Sequence, residues 1–297
     1  MKIVKIRGYG HMGFHAYTTL YLANCAILNI APDEIPVMDI SNFESTYHDD
    51  RSENIWTKYF DQVEYNEEDI VRENEKGMFY NANGFMAPSE RYLFSRMLHS
   101  YLKIKPHILE KVDNFKKQHF DGNKVLGVHI RISDLHDRPT LPFEFYKHKI
   151  DLYLEKEHYN KIFVSADQQD TMEALKEIYG DKIIEYPVLR YTSQGCNYPI
   201  NHPEVHQRPN PGYMRGEEVL IESLLLAHTN FMFKTLSNVT NFTLMYNPSL
   251  EYCNIDFHFL ENDDYPYQTT EETFRYNCKY ETKEDIQHFI NKTKKHA

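Results

Sequence analysis

Residues 125–132 read VLGVHIRI, and this stretch limits the fold more than any other in the chain. A strand of a parallel sheet is covered by helices on both faces and therefore runs apolar along its length. Here the run stays apolar until its carboxyl end, where His129 and Arg131 enter, with Asp134, His136 and Asp137 close behind. Functional groups of open α/β sheets gather at the carboxyl ends of strands. The stretch therefore predicts a parallel α/β sheet with a site at the end of this strand.

The neighbouring segments extend that reading. KIVKIR at 2–7 and IPVMDI at 35–40 read as strands, separated by a buried helix over 12–28. A short helix is expected at 53–61, and two more over 89–117, divided at Pro106. The polar QHFDGNK at 118–124 carries a turn signal and marks a boundary between domains 1–120 and 121–297. Beyond it the pattern predicts helix 143–157, strand 161–166, helix 168–179, strand 181–186 and a long loop over 187–215. Helix 216–228, strand 230–235 and helix 239–246 follow. Strands alternating with helices of this length imply parallel sheets in both halves. The expected architecture is two α/β domains facing each other across a cleft.

Charge and cysteine usage narrow the partners. A net charge of −11 over 297 residues argues against nucleic acid, which needs clustered Lys and Arg. A small anionic ligand needs only a local cluster and stays open. Cys25, Cys196, Cys253 and Cys278 are widely spaced with no C-x-x-C, as expected of reduced thiols. No run reaches the about 18 apolar residues of a membrane span, and no signal-peptide pattern opens the chain. A soluble cytoplasmic protein is expected.

His129 and Arg131, two apart on a strand, share one face. The guanidinium is a fixed fork of donors suited to a phosphate or carboxylate. A buried Arg paired with a core Asp is the structural alternative. A metal site from His129, Asp134, His136 and Asp137 is another, opposed by the repulsion between Arg131 and a cation. In RGEEVLIESLLLAHTNFMFKTLSNVTNF, 215–242, Glu222 sits among Leu220, Ile221 and Leu224–Leu226 and needs a partner to stay ionised. Two N–H groups of a guanine edge would serve, and so would a core Arg or Lys. Thr235 ends the following strand, and Ser237 and Asn238 lead into a helix, where they are ordinary caps or part of a phosphate site. Arg190, His202, His206, Arg208, Tyr213 and Arg215 stand in the long loop as candidates to face a cleft.

Gly8, Gly10 and Gly13 in GYGHMG fit G-x-G-x-x-G directly after a strand, the fingerprint of a dinucleotide-binding turn. Asp39 ends the second strand, where a ribose-binding acid would sit in a nicotinamide-dependent oxidoreductase. Against that class, Asp39 lies 26 residues beyond Gly13 and bulky His11 and Met12 fill the turn. It also leaves HIRISD unexplained.

The pairing of H-x-R-x-x-D (His129, Arg131, Asp134) with GEEVLIESLLLAHTNFMFKTLSNV resembles the fucosyltransferase superfamily of GT-B-like enzymes. That group includes bacterial α1,2- and nodulation-type α1,6-fucosyltransferases and protein O-fucosyltransferases. Ile132 stands where the usual H-x-R-R-x-D has its second Arg, Glu222 where Asp is usual, and His11 where Asn is usual. The resemblance implies inverting transfer of L-fucose from GDP-fucose to a glycan hydroxyl, without a metal or other cofactor. In that scheme Arg131 holds the β-phosphate, His129 lies against the nucleotide and Glu222 takes guanine. Ser237 and Asn238, beside Thr235 in a T-x-S-S-like turn, contact the diphosphate. Asp134 and Asp137 are the nearest carboxylates for a general base. The glycine-rich turn becomes part of an acceptor-side domain, Gly10 close to the cleft and His11 directed at the sugar. A silent nucleotide-sugar-binding protein with the same fold is the remaining alternative.

Overall fold

The computed structural model describes the whole chain except residues 9–12, 43–44, 75–87, 133–142, 191–207, 236, 256–279 and 281–297. Two compact units are present. The first holds residues 1–116, 200–228 and 237–249, and the second holds 117–199, 229–236 and 250–297. Residues 200–228 and 237–249 group with the first unit, and the step between units near 116/117 falls close to the turn at 118–124.

The first unit begins with β1 (Ile3–Arg7), α1 (Phe14–Ile27) and β2 (Ile35–Asp39), followed by α2 (Trp56–Tyr59) and β3 (Phe60–Asp61). It continues through β4 (Ile70–Glu73), α3 (Pro88–Tyr101), β5 (Lys103–Ile104) and α4 (Pro106–His119). The order β2-β1-β4 makes a parallel sheet, and β3 pairs antiparallel with β5. Ile3, Val4 and Ile6 of β1 are fully enclosed. So is most of α1, which packs against α3 and two later helices of the same unit, α7 (Pro211–Ala227) and α8 (Asn238–Tyr246). α1 is a core helix whose buried Thr18, Thr19 and Asn24 donate to carbonyls of the helix itself.

The second unit carries β6 (Val125–Ile130), α5 (Phe143–Glu157), β7 (Lys161–Ala166), α6 (Gln169–Tyr179), β8 (Ile183–Ile184), β9 (Phe231–Lys234) and β10 (Tyr252–Asn254). Its five strands are all parallel, in the order β10-β9-β6-β7-β8. The apolar run at 125–130 is thus the central strand, and every residue of β6 is buried. Leu126, Val128 and Ile130 pack with Phe145, Tyr146, Ile150 and Tyr153 of α5. Both units are α/β with parallel sheets.

Several boundaries differ from expectation. Helix α7 starts at Pro211 rather than 216, inside the segment expected to be loop. Its cap comes from elsewhere: the Asp49 carboxylate accepts from the backbone N–H of Gly212 (2.7 Å) and Tyr213 (3.0 Å). Satisfying those N–H groups from a distant segment lets the helix begin without a local cap. Strand β8 shrinks to two residues, and α2 to four.

Candidate functional site

In the second unit the pleat of β6 splits its end into two faces. Ile130 is in the apolar cluster and Ile132 packs against it, whereas His129 and Arg131 belong to the opposite face. His129 is 4 % exposed, and its Nδ1 shares a 2.6 Å hydrogen bond with Thr235 Oγ1. That bond joins the carboxyl ends of neighbouring strands β6 and β9. Arg131 is half-buried rather than sunk in the core. The position of Ile132 explains why it need not be Arg: its side chain serves packing on the α5 side of the sheet.

One residue overlooked in the sequence stands beside them. The Asp167 carboxylate, immediately after β7, accepts from the Ile132 backbone N–H with both oxygens, at 3.2 and 3.1 Å. It fixes the chain directly after Arg131. An acid closing the strand KIFVSA is the available signal, the same kind that singles out Asp39. Arg190, expected to face a cleft, is instead buried. Its Nε donates to the Ala166 carbonyl at 3.0 Å and its Nη1 lies 3.7 Å from Glu185. It braces the carboxyl end of β7.

In the first unit Glu222 is 8 % exposed, midway along a helix whose Leu220, Ile221 and Leu224–Leu226 are fully buried. Its neighbours Glu217 and Glu218 are buried too, each with its own partners. Glu217 accepts from Lys111 Nζ and the Tyr213 hydroxyl, both at 2.6 Å, and Glu218 is gripped by both Nη groups of Arg208. Burial, followed by the Glu217 carboxylate, pushes the Tyr213 hydroxyl well above its ordinary value and keeps it protonated. Ser237 is the N-cap of α8, its Oγ accepting from Val239 N–H at 3.2 Å, and Asn238 follows, half-exposed, as the first helical residue.

The start of the first unit bears on the dinucleotide alternative. Gly8 is a packing glycine: a Cβ there would lie 2.4 Å from Ile40 Cγ2 and 3.1 Å from the Tyr17 ring. Asp39 is already engaged. Its Oδ1 accepts from Ser41 N–H (3.0 Å) and Oγ–H (2.6 Å), and its Oδ2 lies 3.4 Å from Lys5 Nζ. Burial opposes its charge, but the Ser41 bonds and Lys5 outweigh burial and hold the carboxyl below its usual range. An acid so bonded is a poor ribose ligand.

Gly10, His11, Asp134, His136, Asp137, His202 and His206 lie outside the described residues. Among the described residues no three His, Cys, Asp or Glu side chains are grouped to hold a metal, and no helix is long and apolar enough to cross a membrane. Cys25 and Cys253 are buried and form no disulfide.

No family model matches the sequence, and no curated protein does. Solved structures do match. A crystal structure of NodZ α1,6-fucosyltransferase soaked with GDP-fucose superposes with a TM-score of 0.55 at 13 % identity, over 86 % of this chain and 95 % of that one. Another, of NodZ co-crystallised with GDP, gives 0.54 at 15 % identity over 86 % and 95 %. The fucosyltransferase NodZ from Bradyrhizobium gives 0.53 at 15 % identity over 84 % and 93 %. The likeness spans most of the chain, and the α/β units with parallel sheets agree with it: this protein has the GT-B fold of the fucosyltransferases.

Proposed function

We propose that the protein is an inverting, metal-independent glycosyltransferase that moves L-fucose from GDP-fucose to a glycan hydroxyl. The observation that carries this reading is the end of β6. There a His–Arg pair closes a buried parallel strand, with His129 bonded to Thr235 and the chain after Arg131 held by Asp167. NodZ structures of the same fold were determined with GDP and GDP-fucose, which supports a GDP-sugar as donor.

In the proposed reaction the acceptor oxygen attacks the anomeric carbon as the bond to the β-phosphate oxygen breaks. The bonding pair leaves with GDP, and the acceptor proton passes to a carboxylate, Asp134 or Asp137. Negative charge grows on the departing diphosphate and needs fixed donors. Arg131 is the guanidinium for that role, and the first N–H groups of α8 with Asn238 are the dipolar one. The Ser237 hydroxyl, whose oxygen already accepts from Val239, contacts phosphate as a donor. Glu222 takes the guanine N–H edge, and His129 lies against the nucleotide. Gly10 and His11 belong to the acceptor side, and the protein works in the cytoplasm.

Thermal unfolding with GDP, UDP and NAD in parallel tests the reading. A ligand at a hundredfold excess over its dissociation constant adds about 2.7 kcal/mol. GDP is expected to stabilise and NAD is not; the reverse sinks the proposal in favour of an oxidoreductase. If GDP stabilises but no GDP-sugar is ever transferred or hydrolysed, the protein is a silent binder.

A further inference from the structure

Around the start of α7, buried N–H groups outnumber the acceptors offered to them. Arg215 is 8 % exposed, yet among the described residues its guanidinium makes one hydrogen bond, Nη1 to the Thr46 carbonyl at 2.6 Å, and its buried Nη2 has no acceptor there. The carboxylates whose charge reaches it are committed elsewhere. Asp49 caps Gly212 and Tyr213, and Glu218 is held by Arg208. Arg208 adds a second cation whose own Nε is buried without an acceptor. Burial and Arg208 together depress the Arg215 pKa, against the opposing pull of Tyr47, Glu218 and Asp49.

Nor can Arg215 easily find another partner. The loop it grips is pinned to α7, because a Cβ on Gly212 would lie 2.7 Å from the His48 backbone. The Tyr47 hydroxyl accepts from Phe14 N–H at 3.1 Å, tying the same loop to the start of α1. One prong of a rigid fork is used, and the other is held in place. A buried guanidinium bonded only to a carbonyl lacks a counter-charge, and an oxyanion supplies both the charge and the acceptor. Arg208, with a side chain 21 % exposed, is the outward member of the pair.

We propose that Arg215, flanked by Arg208, is an oxyanion site of the first unit that takes a carboxylate or a phosphate ester. Resting on the transferase reading, which gives the donor its own contacts in this unit at Glu222, Ser237 and Asn238, the site takes an anionic group of the acceptor: a glycan carrying a uronic acid or a phosphate.

Calorimetric titration with glucuronate and, separately, inorganic phosphate tests this on protein saturated with GDP, so that the donor site is filled. Saturable binding of at least one anion is expected, weakened at least tenfold in Arg215→Gln with GDP affinity unchanged. The two arms distinguish a carboxylate site from a phosphate site. Binding of neither anion, or equal binding by Arg215→Gln, overturns the proposal. Should that variant fail to fold, Arg215→Lys keeps the charge and loses the fork. Its anion affinity is expected to fall at least threefold, and an unchanged value overturns the proposal equally. If GDP does not bind, the transferase reading fails by itself, and the same titrations in an Arg131→Ala background decide the oxyanion site alone.

Discussion

The ends of β1 and β6 look alike in sequence and are wired differently. Each is the middle of a parallel sheet or triplet, and each finishes an apolar run with two basic residues spaced by one. On β1, Lys5 is buried between Glu67 (3.1 Å) and Asp39 (3.4 Å), and Arg7 meets Glu73 at 2.5 Å. The Asn74 amide then bonds both the N–H and the carbonyl of Arg7. This end is a set of ion pairs in which each cation has a carboxylate partner. On β6, His129 bonds a hydroxyl and Asp167 takes a backbone N–H. Those contacts fix the direction of the strand end. The β1 end is closed by ion pairs, whereas the β6 end is held in direction by a hydroxyl and by a carboxylate on the backbone.

Truncating the arginine at each end gives the sharpest contrast. Arg131→Ala is expected to lower GDP-fucose turnover by about 10²–10³-fold, the loss that follows removal of one preorganised donor from developing charge. Its half-buried place predicts a fold that survives, checked by circular dichroism. Arg7→Ala removes a largely exposed ion pair and should cost about 0–1 kcal/mol of stability, with turnover within a few-fold of wild type. Equal turnover in the two variants would break the comparison.

Next in size is Asp39→Ala, which leaves Lys5 enclosed with a single, mostly exposed partner, Glu67. Breaking a buried pair of this kind should cost about 3 kcal/mol in denaturant unfolding. GDP affinity, measured by calorimetry, should not move. A loss of GDP binding with unchanged stability would transfer the site to β1 and revive the dinucleotide reading. Asp167→Ala is smaller, leaving the Ile132 N–H without its acceptor at about 1–2 kcal/mol. If that carboxylate positions Arg131, turnover falls about tenfold while GDP affinity changes less than threefold. Asp167→Asn, which keeps an accepting oxygen, recovers part of the rate. A lower melting temperature with unchanged kcat would make Asp167 purely structural.

Much of this was open to reading in the sequence, and the misses share a cause. β6, β7 and β9 are legible because a central parallel strand must be apolar, so His129 and Arg131 stand out against it. The motif at 215–242 is legible for the same reason, as a carboxylate inside an apolar helix. What is not legible depends on partners far along the chain. The start of α7 takes its cap from distant Asp49, because Asn210 lies in the left-handed region (φ 48°) and makes no side-chain cap; Pro211 at the first position is the one local start signal. Glu217 and Glu218 are buried because Lys111, Tyr213 and Arg208 reach them, and Lys111 comes from more than a hundred residues away. Arg190 looks like a ligand and is a brace, since only the fold brings the Ala166 carbonyl to it. Asp167 could have been found: the reasoning that selects Asp39 at the end of β2 applies equally at the end of β7. Ile132 shows the reverse case, where a departure from a motif becomes intelligible once strand alternation places the residue on the packing face.

The smallest expected effect separates charge from hydrogen bonding at the β1 end. The Asp39 carboxyl titrates below its usual value in the folded protein, while in the unfolded chain it returns to about 4. Between those two values the unfolded chain binds more protons, so stability rises with pH. The contribution of Asp39 is thus complete above about pH 5 and fades as pH falls through the folded value. Wild type and Asp39→Ala should therefore differ most at neutral pH and approach each other as pH falls through the folded value, in unfolding curves taken from neutral to acid pH. A gap of constant size would mean that Asp39 stabilises through its Ser41 bonds whether or not it is ionised. Lys5 would then be neutralised chiefly by Glu67, and the β1 end would be less of a closed charge circuit than its geometry implies.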